Sequence, residues 1–130
     1  MGLHRVVQPE SWPPPRGYAN GILSAGETLW IAGQIGWDAA GAFPATLTEQ
    51  VEQALRNIVA VLDAAGAGPE HVVRLTWYLV SVADYKASLA EIGAAYRRVM
   101  GRHYPVMAVV QVVRLVEDRA LVEIEATAVR

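Results

Sequence analysis

TLTEQVEQALRNIVAVLDAAGAGPEHVVRLTWYLVSV, residues 46–82, changes its apolar period from about 3.6 to 2 part-way along, and this switch decides the fold class. Thr46 and Glu49 stand at capping-box spacing. Leu47, Val51, Ala54, Leu55, Ile58, Val59 and Leu62 recur at three- and four-residue steps, which lays one apolar stripe along a helix from Thr46 to Ala65. Gly66 and Gly68 stop this helix, and Pro69, with no N–H to donate, prevents its resumption. From Val72 to Val82 the pattern alternates. Val73, Leu75, Trp77 and Leu79 share one face and Arg74, Thr76 and Tyr78 the other, as in a strand with one buried side.

Working outward, Asp84 is placed to cap a second helix reaching Met100, with Tyr85, Leu89, Ile92, Tyr96 and Val99 on its buried side and Gly101 as its stop. After Pro105, residues 106–115 read as strand, Glu117-Asp118 as a turn, and 120–129 as the final strand. Towards the N-terminus, Ile22–Ala25 and Thr28–Ile35 flank Gly26-Glu27, a hairpin signal. Residues 1–17, dense in proline from Pro9 onward, read as an extended arm, and Trp12 suggests that the arm packs on something. The order predicts an α+β fold: a mixed sheet backed by two helices, with parallel crossovers through the helices and the last two strands paired as a hairpin. One domain is expected to span residues 1–130.

Composition narrows the function. Hydrophobic residues make up 53% of the chain against 18% charged, a surplus that predicts a surface covered by further copies of the same chain. The net charge is −2 and no basic stripe occurs, so recognition of a phosphate backbone is not supported. Cysteine is absent, which excludes thiolate chemistry. Met1–Gln8 lacks the pattern of a signal peptide and no apolar run approaches the roughly 20 residues of a membrane span, so a cytoplasmic protein is expected.

His4, His71 and His103 lack ligand spacing and a zinc site is not expected; nor is any cofactor, since phosphate-loop and dinucleotide fingerprints are missing. On the last strand, Leu121, Glu123, Glu125 and Thr127 share one face, opposite Val122, Ile124, Ala126 and Ala128. Two carboxylates there are more often a solvated face than, beside apolar surface, a general acid/base, and the pattern alone does not assign chemistry. Of the four tryptophans, Trp37 follows a glycine at a strand end, where pockets tend to form.

Gly17-Tyr18-Ala19-Asn20-Gly21, Ala32-Gly33-Gln34-Ile35-Gly36, Gln53–Ile58, Ala64-Ala65-Gly66, Val72–Thr76, Tyr104-Pro105 and the closing Val122–Val129 together resemble the Rid family, also called YjgF-like or endoribonuclease L-PSP-like. The resemblance covers nearly the whole chain. It implies a chorismate-mutase-like fold, assembled as a homotrimeric barrel with small-molecule clefts between subunits. In the deaminase branch an arginine holds the carboxylate of a 2-imino acid, a glutamate positions the attacking water, and a tyrosine and a strand-end glycine complete the cleft. Carried over, the glutamate is Glu123, the tyrosine Tyr18 and the glycine Gly33, while Met107 stands at the arginine position and Gly93 at that of a helix asparagine. A thioether cannot grip a carboxylate as a guanidinium fork does. Arg16, Arg74 and Arg114 are the candidates to take over.

Two readings follow. The first is a hydrolase of an imine or enamine other than an ordinary 2-imino acid, with Met107 and Trp37 as apolar walls. The second is a non-catalytic small-molecule binder or regulator using the same cleft. Ribonuclease activity, which the family's alternative name suggests, is opposed by the acidic balance and the lack of a His/Lys/Arg constellation.

Overall fold

A computed structural model describes residues 4–130. The elements in chain order are β1 (His4–Val7), β2 (Gly21–Ser24), β3 (Thr28–Ile35), α1 (Leu47–Ala64), β4 (Val72–Leu79), α2 (Val82–Ala87), α3 (Leu89–Met100), β5 (Val106–Gln111) and β6 (Val122–Val129), with a 3₁₀ turn at Pro69–His71. Four strands form a mixed sheet in the order β3-β6-β4-β5, and β1 and β2 pair separately. The α+β class and the mixed sheet backed by helices are as expected.

Helix α1 follows its sequence pattern closely. Thr46 caps it by accepting from the Glu49 N–H at 3.2 Å. Val51, Leu55, Ile58 and Leu62 are fully buried against the sheet, each stabilising the fold by about 1.5–3 kcal/mol. Gln50 is buried as well, which the stripe did not foretell. Its amide donates to the carbonyls of Pro44 and Arg119 and its oxygen accepts from the Leu121 N–H at 2.8 Å. One side chain thereby ties α1 to the approach of β6.

Strand pairing departs from the expectation in two places. The Gly26-Glu27 turn does not close a β2–β3 hairpin: β2 pairs with β1, inside the segment read as an arm, and β3 pairs antiparallel with β6. Glu27 and Arg130 exchange backbone hydrogen bonds, so the turn delivers β3 to the last strand. That choice gives eight-residue β3 an eight-residue partner with a fully apolar core face. Nor do β5 and β6 form a hairpin. Strand β4 lies between them, parallel to β5 and antiparallel to β6. Inserting β4 buries its Leu75, Trp77 and Leu79 at the sheet centre, and β5, which ends at Gln111 rather than at Leu115, is left at the edge.

Three smaller corrections concern register and ends. A shift between Val72 and Arg74 in the β4–β6 pairing buries Val72 in place of Val73. Ser81, not Asp84, caps the second helix, accepting from the Asp84 N–H, and the chain breaks at Ser88 into α2 and α3. The buried side of α3 is Ile92, Ala95, Tyr96 and Met100, with Leu89 half exposed at its start. Within the arm, His4–Val7 is strand, and residues 1–3 lie outside the described residues. Among the described residues no helix is long and apolar enough to cross a membrane.

Candidate functional site

Four of the five candidate residues fall into two groups on opposite faces of the sheet, and Trp37 joins neither. Register fixes the faces. Met107 lies beside buried Leu75, and Val109 beside buried Trp77, so both point to the helix side. Glu123 lies beside Tyr78 on the opposite, open face.

On the helix side, a groove of about 490 Å³ opens between α3 and the β4–β5 edge, a size suited to a small organic molecule. Tyr18 and Met107 both line it. The arm reaches this place because the Ala19 N–H donates to the Pro105 carbonyl at 3.0 Å and Ala19 bridges to Val106. The walls are aromatic. Tyr96 stacks on Tyr104 with centroids 5.4 Å apart and on Trp77 at 6.5 Å, and Tyr85 meets Trp77 edge-on at 6.2 Å. Tyr96 donates its hydroxyl proton to the His103 carbonyl, and burial pushes its phenol well above the ordinary tyrosine range. Burial raises Tyr85 too. Gly93 lines the groove, and a Cβ there would stand 3.4 Å from the Arg97 Nη1.

On the open face, Gly33 makes room for Glu123. A Cβ on Gly33 would lie 2.7 Å from the Glu123 Cδ and 2.9 Å from its Cγ, closer than carbon atoms pack. The register of β3 against β6 shifts between Ile31 and Gln34, a bulge that brings this glycine over the carboxylate. Among the described residues no group hydrogen bonds to the Glu123 carboxylate. Glu125, by contrast, is engaged: Tyr78 donates its hydroxyl to it at 2.5 Å, and this bond, with desolvation adding to it, raises the Tyr78 phenol. The two carboxylates of β6 therefore differ, one committed and one free.

Trp37 does not line the groove. It packs on Phe43 with centroids 5.7 Å apart, and Asn57 of α1 holds the strand end by donating to the carbonyls of Ile35 and Trp37 at 3.0 and 2.9 Å. Of the three arginines considered for the anchoring role, Arg16 lines the groove beside Tyr18. Arg74 lies on the open face with Trp30 and Glu125, and Arg114, beyond the end of β5, pairs with Asp118 at 3.0 Å in solvent. Sequence reasoning missed Arg97 and the four groove aromatics as site residues. Trp77 and Tyr96 carried a signal, their apolar periodicity, but it reads only as core. Among the described residues no group of three His, Asp or Glu side chains could hold a metal ion.

The sequence profile of endoribonuclease L-PSP matches residues 10–130. The chain belongs to this family. A RutC family protein of Pyrococcus horikoshii is 34% identical over 128 residues, covering 97% of this chain and 98% of its own length. The 2-iminobutanoate/2-iminopropanoate deaminase of the goat, Capra hircus, is 31% identical over 130 residues, covering 98% of this chain and 91% of its own. A crystal structure of a Rid family protein of unknown function from Yersinia pestis superposes with a TM-score of 0.88 at 36% identity, covering 99% of this chain and all of the other. The YjgF/Rid fold expected from the resemblance is thus the fold of this family member.

Proposed function

We propose that this family member hydrolyses a reactive imine or enamine in the aromatic groove, with Glu123 contributed by a neighbouring copy of the chain in a homotrimer. One observation carries the reading: Tyr18 and Met107 line a single groove, while Glu123 lies on the opposite sheet face with its carboxylate unpartnered and a glycine held over it. A site that uses all three needs a second copy. Trp30, 77% exposed on the same open face, supports such a contact.

In the reaction Glu123 accepts a proton from water as the water oxygen bonds to the C=N carbon. The C=N π electrons move to nitrogen, which takes up a proton. The carbinolamine then collapses to a carbonyl compound and releases ammonia. Tyr18 orients the substrate. The goat relative is named a 2-iminobutanoate/2-iminopropanoate deaminase, which supports this reading.

Met107 sets the specificity. At the position where the deaminase branch carries its arginine, a thioether leaves a small 2-imino acid without its carboxylate clamp, a loss of several kcal/mol in binding. Substrates with an aryl or acyl body, which gain from the aromatic walls, are favoured instead. Met107 is also the observation that favours the second reading, a non-catalytic binder using the same groove.

The test is hydrolysis of imines generated in situ, small 2-imino acids beside aryl-bearing imines, by the parent and by Glu123→Gln. The parent is expected to accelerate loss of the aryl-bearing imine, and Glu123→Gln to lose about 10²-fold or more of that rate. A parent with no acceleration on any imine, or a variant equal to it, overturns the hydrolase reading.

A further inference from the structure

Strand β3 holds Gly33 over the Glu123 carboxylate, yet its own ladder is interrupted there. Ala32 and Gly33 fall in the bulge between Ile31 and Gln34, and only two pairs follow it, Gln34 with Ile124 and Ile35 with Glu123. A bulge breaks the ladder and bends the strand, so the upstream pairing does not fix this end. What fixes it comes from the helix side. Asn57 of α1 uses both amide N–H donors here, giving one to the Ile35 carbonyl at 3.0 Å and one to the Trp37 carbonyl at 2.9 Å. Gln53, one turn earlier, donates to the Asn57 Oδ1 at 2.9 Å and sets which way the amide faces. Ile35 is buried and is the residue paired with Glu123. Gly36 follows, so close to α1 that a Cβ there would meet the Gln50 Cα at 2.7 Å. The strand end is clamped to α1 on one side while it presents Gly33 to the carboxylate on the other.

We propose that Asn57 is a positioning residue for the reaction: its two bonds to the end of β3 set the distance between Gly33 and the Glu123 carboxylate, and with it the place from which Glu123 works. This inference rests on Glu123 being the base of the proposed hydrolysis, and it extends that reading to a helix residue outside the groove lining.

Asn57→Ala, Glu123→Gln and the double variant are compared in imine hydrolysis. Asn57→Ala is expected to lose kcat by about tenfold or more with KM held within about threefold, because misplacing a positioned group by about 1 Å costs up to about 10²-fold. In the Glu123→Gln background the same change is expected to alter the rate by less than about twofold, since the group it positions is already disabled. Ile58→Val, fully buried on the same helix, controls for lost stability: Tm falls while kcat stays within about twofold of the parent. A merely structural Asn57 lowers the rate equally in both backgrounds. That result overturns the proposal, as does a parent-like kcat in Asn57→Ala.

A second arm needs no turnover. The Gly33 Hα that points at Glu123 should give a cross-peak to the Glu123 Hγ protons in the NOE spectrum of the parent. Asn57→Ala is expected to lose that cross-peak, while those between Leu29 and Ala128, at the other end of the same ladder, persist. An unchanged Gly33–Glu123 cross-peak overturns the proposal. If the parent hydrolyses no imine, the hydrolase reading falls and this arm alone decides the positioning claim. If Asn57→Ala does not fold, Gln53→Ala, which frees the amide to turn, is read in the same two assays against the same criteria.

Discussion

Gly33→Ala separates the chemistry from the fold. The new methyl would lie 2.7 Å from the Glu123 Cδ, against an ordinary carbon contact of about 3.5–4.0 Å. The carboxylate must therefore withdraw by about 1 Å, and a displacement of that size costs up to about 10²-fold in rate when the group positions a reactant. Stability should change little. Glu123 is a partly exposed side chain with no hydrogen bond to lose, and turning it off its rotamer costs about 0.5–1.5 kcal/mol. Gly36→Ala is the matched control. There the methyl would meet the Gln50 Cα at 2.7 Å and its carbonyl oxygen at 2.8 Å, backbone atoms of a buried helix that cannot swing away. That overpacking costs about 1–3 kcal/mol or more, and Tm should fall by several degrees, at roughly 3–6 °C per kcal/mol for a domain of this size. Thermal unfolding and imine hydrolysis are measured on both variants. Gly33→Ala should unfold within a few degrees of the parent yet lose most of its rate. If it keeps the parent's rate while Glu123→Gln is inactive, the carboxylate does not work from the position it occupies under Gly33, and the reasoning fails.

Met107→Arg should raise hydrolysis of small 2-imino acids by about tenfold or more relative to the parent, because the guanidinium restores a carboxylate fork on the groove wall; a comparison of kcat/KM on the same imine checks it. Gln50→Leu should cost about 2–4 kcal/mol in chemical unfolding, since the Leu121 N–H and the Pro44 and Arg119 carbonyls lose their partner together. Arg98 and then Arg56, hydrogen bonded to Glu52, hold its carboxyl below the usual range. A lowered folded pKa stabilises above the unfolded value and is lost as pH falls, so Glu52→Gln should flatten stability against pH below about pH 4.5. Because both arginines are half exposed, the effect should stay under about 1 kcal/mol, as read from urea midpoints across that range.

Much of the secondary structure was legible because its causes are local. The stripe of α1, its Thr46 cap, the glycine stop after it and the two faces of β6 each depend on residues a few positions apart, and the chain's own spacing records them. The same alternation put Glu123 and Glu125 on one face and distinguished it from the face of Val122 and Ile124. It could not tell the two carboxylates apart. Only the approach of Tyr78 from β4 and Gly33 from β3 leaves one engaged and the other free.

Strand order was not legible. A period of two says that a segment is a strand with one buried side, but it names no neighbour, and the nearest segment in sequence is only the default. Here β6 takes β3 and β4 as partners, and β3 and β5 are left at the edges, because β4 and β6, the strands with the most buried apolar faces, gain most from central positions. The groove depends on that outcome. Arg16 comes from the arm, Trp77 from the central strand β4, Arg97 from α3 and Met107 from β5, and nothing in their sequence spacing relates them. Residue type and local period were therefore set by the sequence alone, while the meeting of Tyr18, Met107 and an aromatic wall in one groove was decided by long-range strand pairing and the docking of the arm on Pro105.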